Sequence, residues 1–143
     1  MKTVTDHQDG VSRPPLVSIM AQGVFLIVSI HTALDDSQLL RLEDDLLEQV
    51  QERRARGIVI DVSVLDVVDS FATHTLSRIE RAARLRGAET VVVGIAPEVA
   101  MAMVHLSLQA RLMHTALDLE EGLELLSRIS ASLEQQAQPT AIS

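Results

Sequence analysis

The chain has 143 residues, 12 basic against 20 acidic, for a net charge of −8 at pH 7. Hydrophobic residues make up 47% but aromatics only 1%, and there is no cysteine, tryptophan or tyrosine. That composition excludes disulfides, thiol chemistry and zinc–thiolate sites, removes the stacking platforms of single-strand binders, and sets an acidic surface against phosphate backbones, so no nucleic acid is expected as a partner.

The length suits one domain with an aliphatic core. No apolar run reaches membrane-spanning length and the polar start, MKTVTDHQDG, carries no secretory signal, so no membrane partner and a cytoplasmic location are expected. Residues 1–15, ending in Pro14-Pro15, read as a flexible arm, 16–133 as the folded domain, and 134–143 as a flexible tail.

Leu16 to Met20 and Val24 to Ile30 are β-rich runs, with Ala21-Gln22-Gly23 short enough for a hairpin turn. The second run is nearly continuous in apolar character, as in a strand covered on both faces. Asp35 to Gln38 is a helix start with Gln at the capping-box position. Leu39, Leu42, Leu46 and Val50 then recur at helical spacing. Arginines crowd the end of that helix, and Gly57 suits the position just past it.

Gly57 to Leu76 is the stretch around which the chain is organised. Ile58-Val59-Ile60 reads as a buried strand ending at Asp61, and a crossover loop leads to a helix beginning near Ser70. Ala72, Leu76, Ile79 and Ala83 share one face of that helix, and Gly87 stops it. Thr90 to Ile95 is another short strand. Pro97 opens a helix through Val99, Met103 and Leu106. Arg111 to Thr115 could hold a brief edge strand. Asp118 and Glu121 cap the last helix, whose inner face is Leu119, Leu123 and Leu126. Strands alternating with helices predict an α/β fold: a mixed, mostly parallel sheet of four to five strands with about four helices.

No enzyme signature is present. There is no G-x-G-x-x-G, P-loop or G-x-S-x-G elbow, and the five histidines lack metal-ligand spacing. No catalytic residue, metal ligand or cofactor is therefore assigned. Met101 and Met103 read as aliphatic filler. Asp35-Asp36 reads as a helix cap, and Glu43-Asp44-Asp45 as a solvated face.

Ser70 has two readings. The ordinary one is an N-cap, a duty serine fills routinely. The functional one is a phosphoacceptor, because a helix N-terminus tolerates an anion. A phosphate would add about −1.5 to −2 charge beside Asp61, Asp66 and Asp69, repelling a docked partner while the fold survives. Ser63 in the loop and Thr73 one turn into the helix are weaker acceptors. Asp69 either caps the helix or orients an incoming kinase.

Gly57-Ile-Val-Ile-Asp61 with Val67-Val68-Asp69-Ser70-Phe71 resembles the core of a STAS domain, the fold of anti-sigma-factor antagonists. Leu26 to Ile30 with Leu34-Asp35-Asp36, Arg86-Gly87-Ala88 into Val91 to Ile95, and Thr115 to Leu123 resemble other segments of that family. The likeness is strongest to the RsbS-type stressosome scaffolds and spans about Leu16 to Ile129. It implies a non-enzymatic scaffold that binds an RsbT-type serine/threonine kinase, is phosphorylated by it on Ser70, and then releases it. It also implies co-assembly with RsbR-type STAS paralogues and self-association. Docking is expected on Asp61, Asp66, Asp69 and Phe71. Phe71 stands where many single-domain antagonists carry a small residue, which favours the stressosome branch. The few residues before the domain favour RsbS over RsbR. The rival readings are a small-ligand or nucleotide-binding sensor on the same fold and, more remotely, an unrecognised hydrolase.

Overall fold

Strand and helix alternate as the apolar periodicity demands, and the computed structural model describes residues 3–4, 15–106 and 113–137. The strands are β1 (Thr3–Val4), β2 (Val17–Gln22), β3 (Phe25–Ile30), β4 (Gly57–Asp61), β5 (Glu89–Val93) and β6 (His114–Ala116). The helices are α1 (Asp36–Arg53), α2 (Ser70–Leu85), α3 (Pro97–Leu106) and α4 (Leu119–Ala137). The sheet order is β1-β2-β3-β4-β5-β6. The first three strands pair antiparallel and the last four parallel, so the sheet is the mixed, mostly parallel one expected.

β4 shows why the sheet needs helices on both sides. Ile58 and Ile60 point into one aliphatic cluster with Leu42, Leu46, Leu76 and Ile79 of α1 and α2. Val59 points the other way, to Val91, Val93 and Leu126 of α4. All three are fully buried, and burial of such side chains is the main driving term of folding. Across the helix layer, Glu43 of α1 takes two hydrogen bonds from Arg78 of α2, at 3.0 and 2.5 Å. That bidentate grip raises the Arg78 guanidinium above its ordinary pKa. Glu43 is thus a tie between helices and not only part of a solvated face.

Several local expectations shift. The hairpin turns at Gly23-Val24, two residues later than expected, with Gly23 at φ +60 as the first central residue of a tight hairpin turn. α1 is capped as the sequence implies: Asp35 accepts from the Gln38 N–H at 2.8 Å while the Gln38 side chain accepts from the Asp35 N–H at 2.9 Å. Its other end closes on Arg54 in the left-handed conformation, not on Gly57. Gly57 belongs to β4, where an added Cβ would lie 2.9 Å from both Leu126 Cδ1 and Phe25 Cδ1. Within the expected arm, Thr3–Val4 pairs with Val17 and Ser18, where backbone pairing outweighs the segment's polar composition. α4 runs to Ala137, four residues past the expected boundary. The strand expected at 90–95 spans 89–93, and the edge strand sits at 114–116, with 111 and 112 outside the described residues.

Among the described residues, Leu126 is the one fully buried side chain that α4 contributes to its face of the sheet. Leu126→Ala should cost about 2–5 kcal/mol, read as a fall in the urea midpoint at unchanged slope. The Asp35 carboxyl is held below its ordinary pKa, first by the Gln38 amide and then by the Ser37 hydroxyl. Its contribution is complete above the ordinary carboxylate value and disappears as pH falls through the lowered one. Asp35→Ala should therefore lower the thermal midpoint at neutral pH and narrow its difference from the parent in strong acid.

Candidate functional site

β3, β4, β5 and β6 run the same way, so their C-terminal ends share one pole and each leads into a helix. The N-termini of all four helices collect there. Open α/β sheets present their binding residues at such an end.

The loop from β4 to α2 is tightly built. The Val62 N–H donates to the Val93 carbonyl at 3.0 Å, extending the β4–β5 pairing by one residue. The chain then turns, with the Leu65 N–H on the Val62 carbonyl at 2.9 Å. Asp61 braces the turn by accepting from the Ser63 N–H at 2.9 Å. Gly94 on the neighbouring strand end, at φ +80, lets the loop pass close by: a Cβ there would lie 2.7 Å from Ser63 Cβ. That φ is also one that side-chain-bearing residues rarely adopt.

α2 begins with a division of labour. Asp69, not Ser70, is the N-cap: its carboxylate accepts from the Ala72 N–H at 2.8 Å and its carbonyl from the Thr73 N–H at 2.9 Å. Ser70 is the first helical residue and is exposed. Its hydroxyl is not needed to start the helix. Thr73 is the reverse case. It is 0% exposed and its hydroxyl donates to the Asp69 carbonyl at 2.9 Å, which removes it as an acceptor in the folded chain. Ser63 is exposed in the turn.

Asp66 and Asp69 are exposed, while Asp61 and Phe71 are half-buried. The sequence did not single out the apolar side chains that share this pole. Val67 is 75% exposed and Val64 also projects into solvent. Val67, Leu65 and Asp69 line a cavity of 230 Å³ closed from the other side by Ile30, Ala33 and Leu34. A short apolar run between two aspartates reads equally as core, so periodicity could not separate these valines from Val68, which is buried. Gly94, directly after a strand, carried the only signal for the close loop approach. Among the described residues no group of three or more His, Asp or Glu is arranged to hold a metal ion, and no helix is long and apolar enough to cross a membrane.

A family model for the STAS domain matches residues 17–122. The chain belongs to the STAS-domain family. A solved serine-to-glutamate variant of RsbS from Moorella thermoacetica is 36% identical with a TM-score of 0.73, over 80% of this chain and 97% of that one. A structure of the stressosome, described as a signal integration and transduction hub, contains a chain 33% identical with a TM-score of 0.66, over 78% of this chain and 97% of that one. The RsbT co-antagonist protein RsbRA of Bacillus subtilis is 26% identical over 110 residues, 77% of this chain. The chain spans 39% of that STAS relative's length.

Gly94→Ala tests the packing of this loop. The substitution combines a left-handed backbone with a close approach to Ser63, and should cost about 1–3 kcal/mol, measured by denaturant unfolding. Ser63→Gly in the same chain should recover only the share due to the Ser63 Cβ, because the Ser63 Cα and N, each 3.0 Å from the added Cβ, remain.

Proposed function

We propose that this chain is a non-enzymatic scaffold of a stressosome-type assembly in the cytoplasm, that it holds an RsbT-type serine/threonine kinase at the pole carrying Ser70, and that phosphorylation of Ser70 releases the kinase. The observation that carries the reading is the exposed Ser70 hydroxyl at the first turn of α2, left without a capping duty by Asp69. Similarity to RsbS, to a stressosome chain and to an RsbT co-antagonist supports the partners. RsbR-type STAS paralogues and further copies of this chain complete the assembly.

The physical logic is a stable host with a switchable surface. The first amides of a helix have no intrahelical acceptor, and the Asp69 carboxylate occupies that of Ala72. The amides of Ser70 and Phe71 remain to receive a phosphate. Asp66 and Asp69 oppose it, but two unit charges 4 Å apart interact by only about 1 kcal/mol in water. The helix survives that. A partner seated on Val64, Val67 and Phe71 meets a new dianion in an interface from which water has been excluded, where the same charge costs more. The small-ligand or nucleotide reading is weaker, because the cavity beside Ser70 is walled by aliphatic side chains and one carboxylate, a lining that disfavours phosphates.

Ser70→Ala should bind the kinase as the parent does and take up no phosphate. Ser70→Asp should bind at least about tenfold more weakly, or 1.4 kcal/mol, by calorimetry. Equal affinity of the two variants counts against the reading. Phosphopeptide mapping should find Ser70 modified and Thr73 untouched.

A further inference from the structure

Charge is sorted between the two ends of the sheet. At the strand C-terminal pole, Asp35, Asp36, Asp61, Asp66 and Asp69 surround the loop bearing Ser70. On the flank of the same pole, Glu98, Asp118, Glu120 and Glu121 stand at the starts of α3 and α4. No Lys or Arg occurs in the stretches 31–40, 61–77, 94–106 and 113–127 that build this pole. The opposite pole, where α1 and α2 end, carries Arg53, Arg54, Arg56, Arg84 and Arg86 together with Glu52 and Glu89, and Glu80 and Glu134 pair with Arg84 and Arg56. Complementing helix dipoles explains part of this sorting. It does not explain the apolar side chains that stand in solvent among the charges at both ends.

On the α3–α4 flank, Leu117 is 78% exposed and Met101 60%, so Met101 is surface and not filler. Leu117 lines a 300 Å³ cavity with Ile95, Ala100, Thr115, Ala116 and Glu121. At the arginine pole, Leu85 is 88% exposed and Val24 also projects. Beside them Arg54, Arg56 and Arg86 line a 520 Å³ cleft whose floor includes Val50 and Gly87. Its arginines are only lightly engaged: Arg56 reaches the exposed Glu134 at 3.3 Å, and one nitrogen of Arg86 donates to the Ala82 carbonyl at 3.1 Å. Each surface is an apolar patch with a charged rim, as in specific protein interfaces, and the rims have opposite sign.

We propose that the arginine cleft of one copy seats on the Met101–Leu117 flank of the next, a head-to-tail contact between copies of this chain. It deepens the self-association in the function proposed above and rests on it. The contact uses two different patches, so copies join into rings or open chains and not into closed symmetric pairs. Charge-rimmed contacts of this kind weaken as salt screens them.

Sedimentation velocity on the full chain tests this at about 50 mM and about 500 mM salt, conditions whose Debye lengths differ roughly threefold. The expected result is mass that grows past the dimer with concentration at low salt and falls at high salt. Arg54→Gln/Arg86→Gln and Glu98→Gln/Glu120→Gln, all at exposed positions, should each weaken association at least tenfold. Mixed together, the two variants should form one-to-one pairs and nothing larger, because one intact patch of each kind remains. A parent that stays monomeric at both salts, variants that assemble like the parent, or a mixture that yields no pair overturns the proposal. Kinase binding by both variants is measured in parallel. Its persistence when self-assembly fails the test leaves the kinase reading standing, and its loss in both variants counts against that reading instead.

Discussion

Everything at the candidate site depends on β4 being closed on both faces. Ile58 and Ile60 are locked against α1 and α2, and Val59 against α4. A strand held this way cannot slip by one residue without turning its whole apolar set to the wrong side. The end of β4 is therefore fixed, and with it the point where the chain leaves for α2. The Val62–Val93 hydrogen bond and the Asp61 brace carry that rigidity into the loop. An exposed serine at the end of a mobile loop would report little. One at the end of this strap stands at a defined place beside Val67 and Asp69.

The structural duties at the start of α2 fall on the two neighbours of Ser70. Asp69 starts the helix and Thr73 seals its first turn from within, hydroxyl to carbonyl. Ser70 lies between them with no structural task. A covalent change there alters the surface without removing a cap, a bond or a packed side chain. The same economy holds at the opposite pole, where arginines offset the carbonyl ends of α1 and α2 yet keep donors facing solvent.

The sequence was most legible where local chemistry decides the outcome. The Asp35–Gln38 box and the Leu39, Leu42, Leu46 and Val50 stripe gave α1 directly, and Asp118 with Glu121 gave α4, although the Glu121 carboxylate reaches back to the Leu117 N–H and not to that of Asp118. It was least legible where distant segments decide. Gly57 looked like a helix terminator, but its lack of a side chain serves Leu126 and Phe25, which are remote in sequence. Arg54 holds the left-handed position because the helix must stop there to reach β4. The strand at Thr3–Val4 is too short to leave a pattern. At the site, Ser70 stood out through the family likeness of its neighbours. Local spacing alone could not say whether Asp69 or Ser70 caps the helix, because both residues suit that duty.

The central claim is that one exposed hydroxyl governs a protein contact while the fold beneath it is indifferent. The most direct measurement compares the unmodified chain with the same chain carrying one phosphate on Ser70, recording kinase dissociation rate and thermal midpoint in each. The account predicts release at least about tenfold faster after modification, with a midpoint that moves by no more than a few degrees. Unchanged release, or faster release accompanied by collapse of the fold, would contradict it.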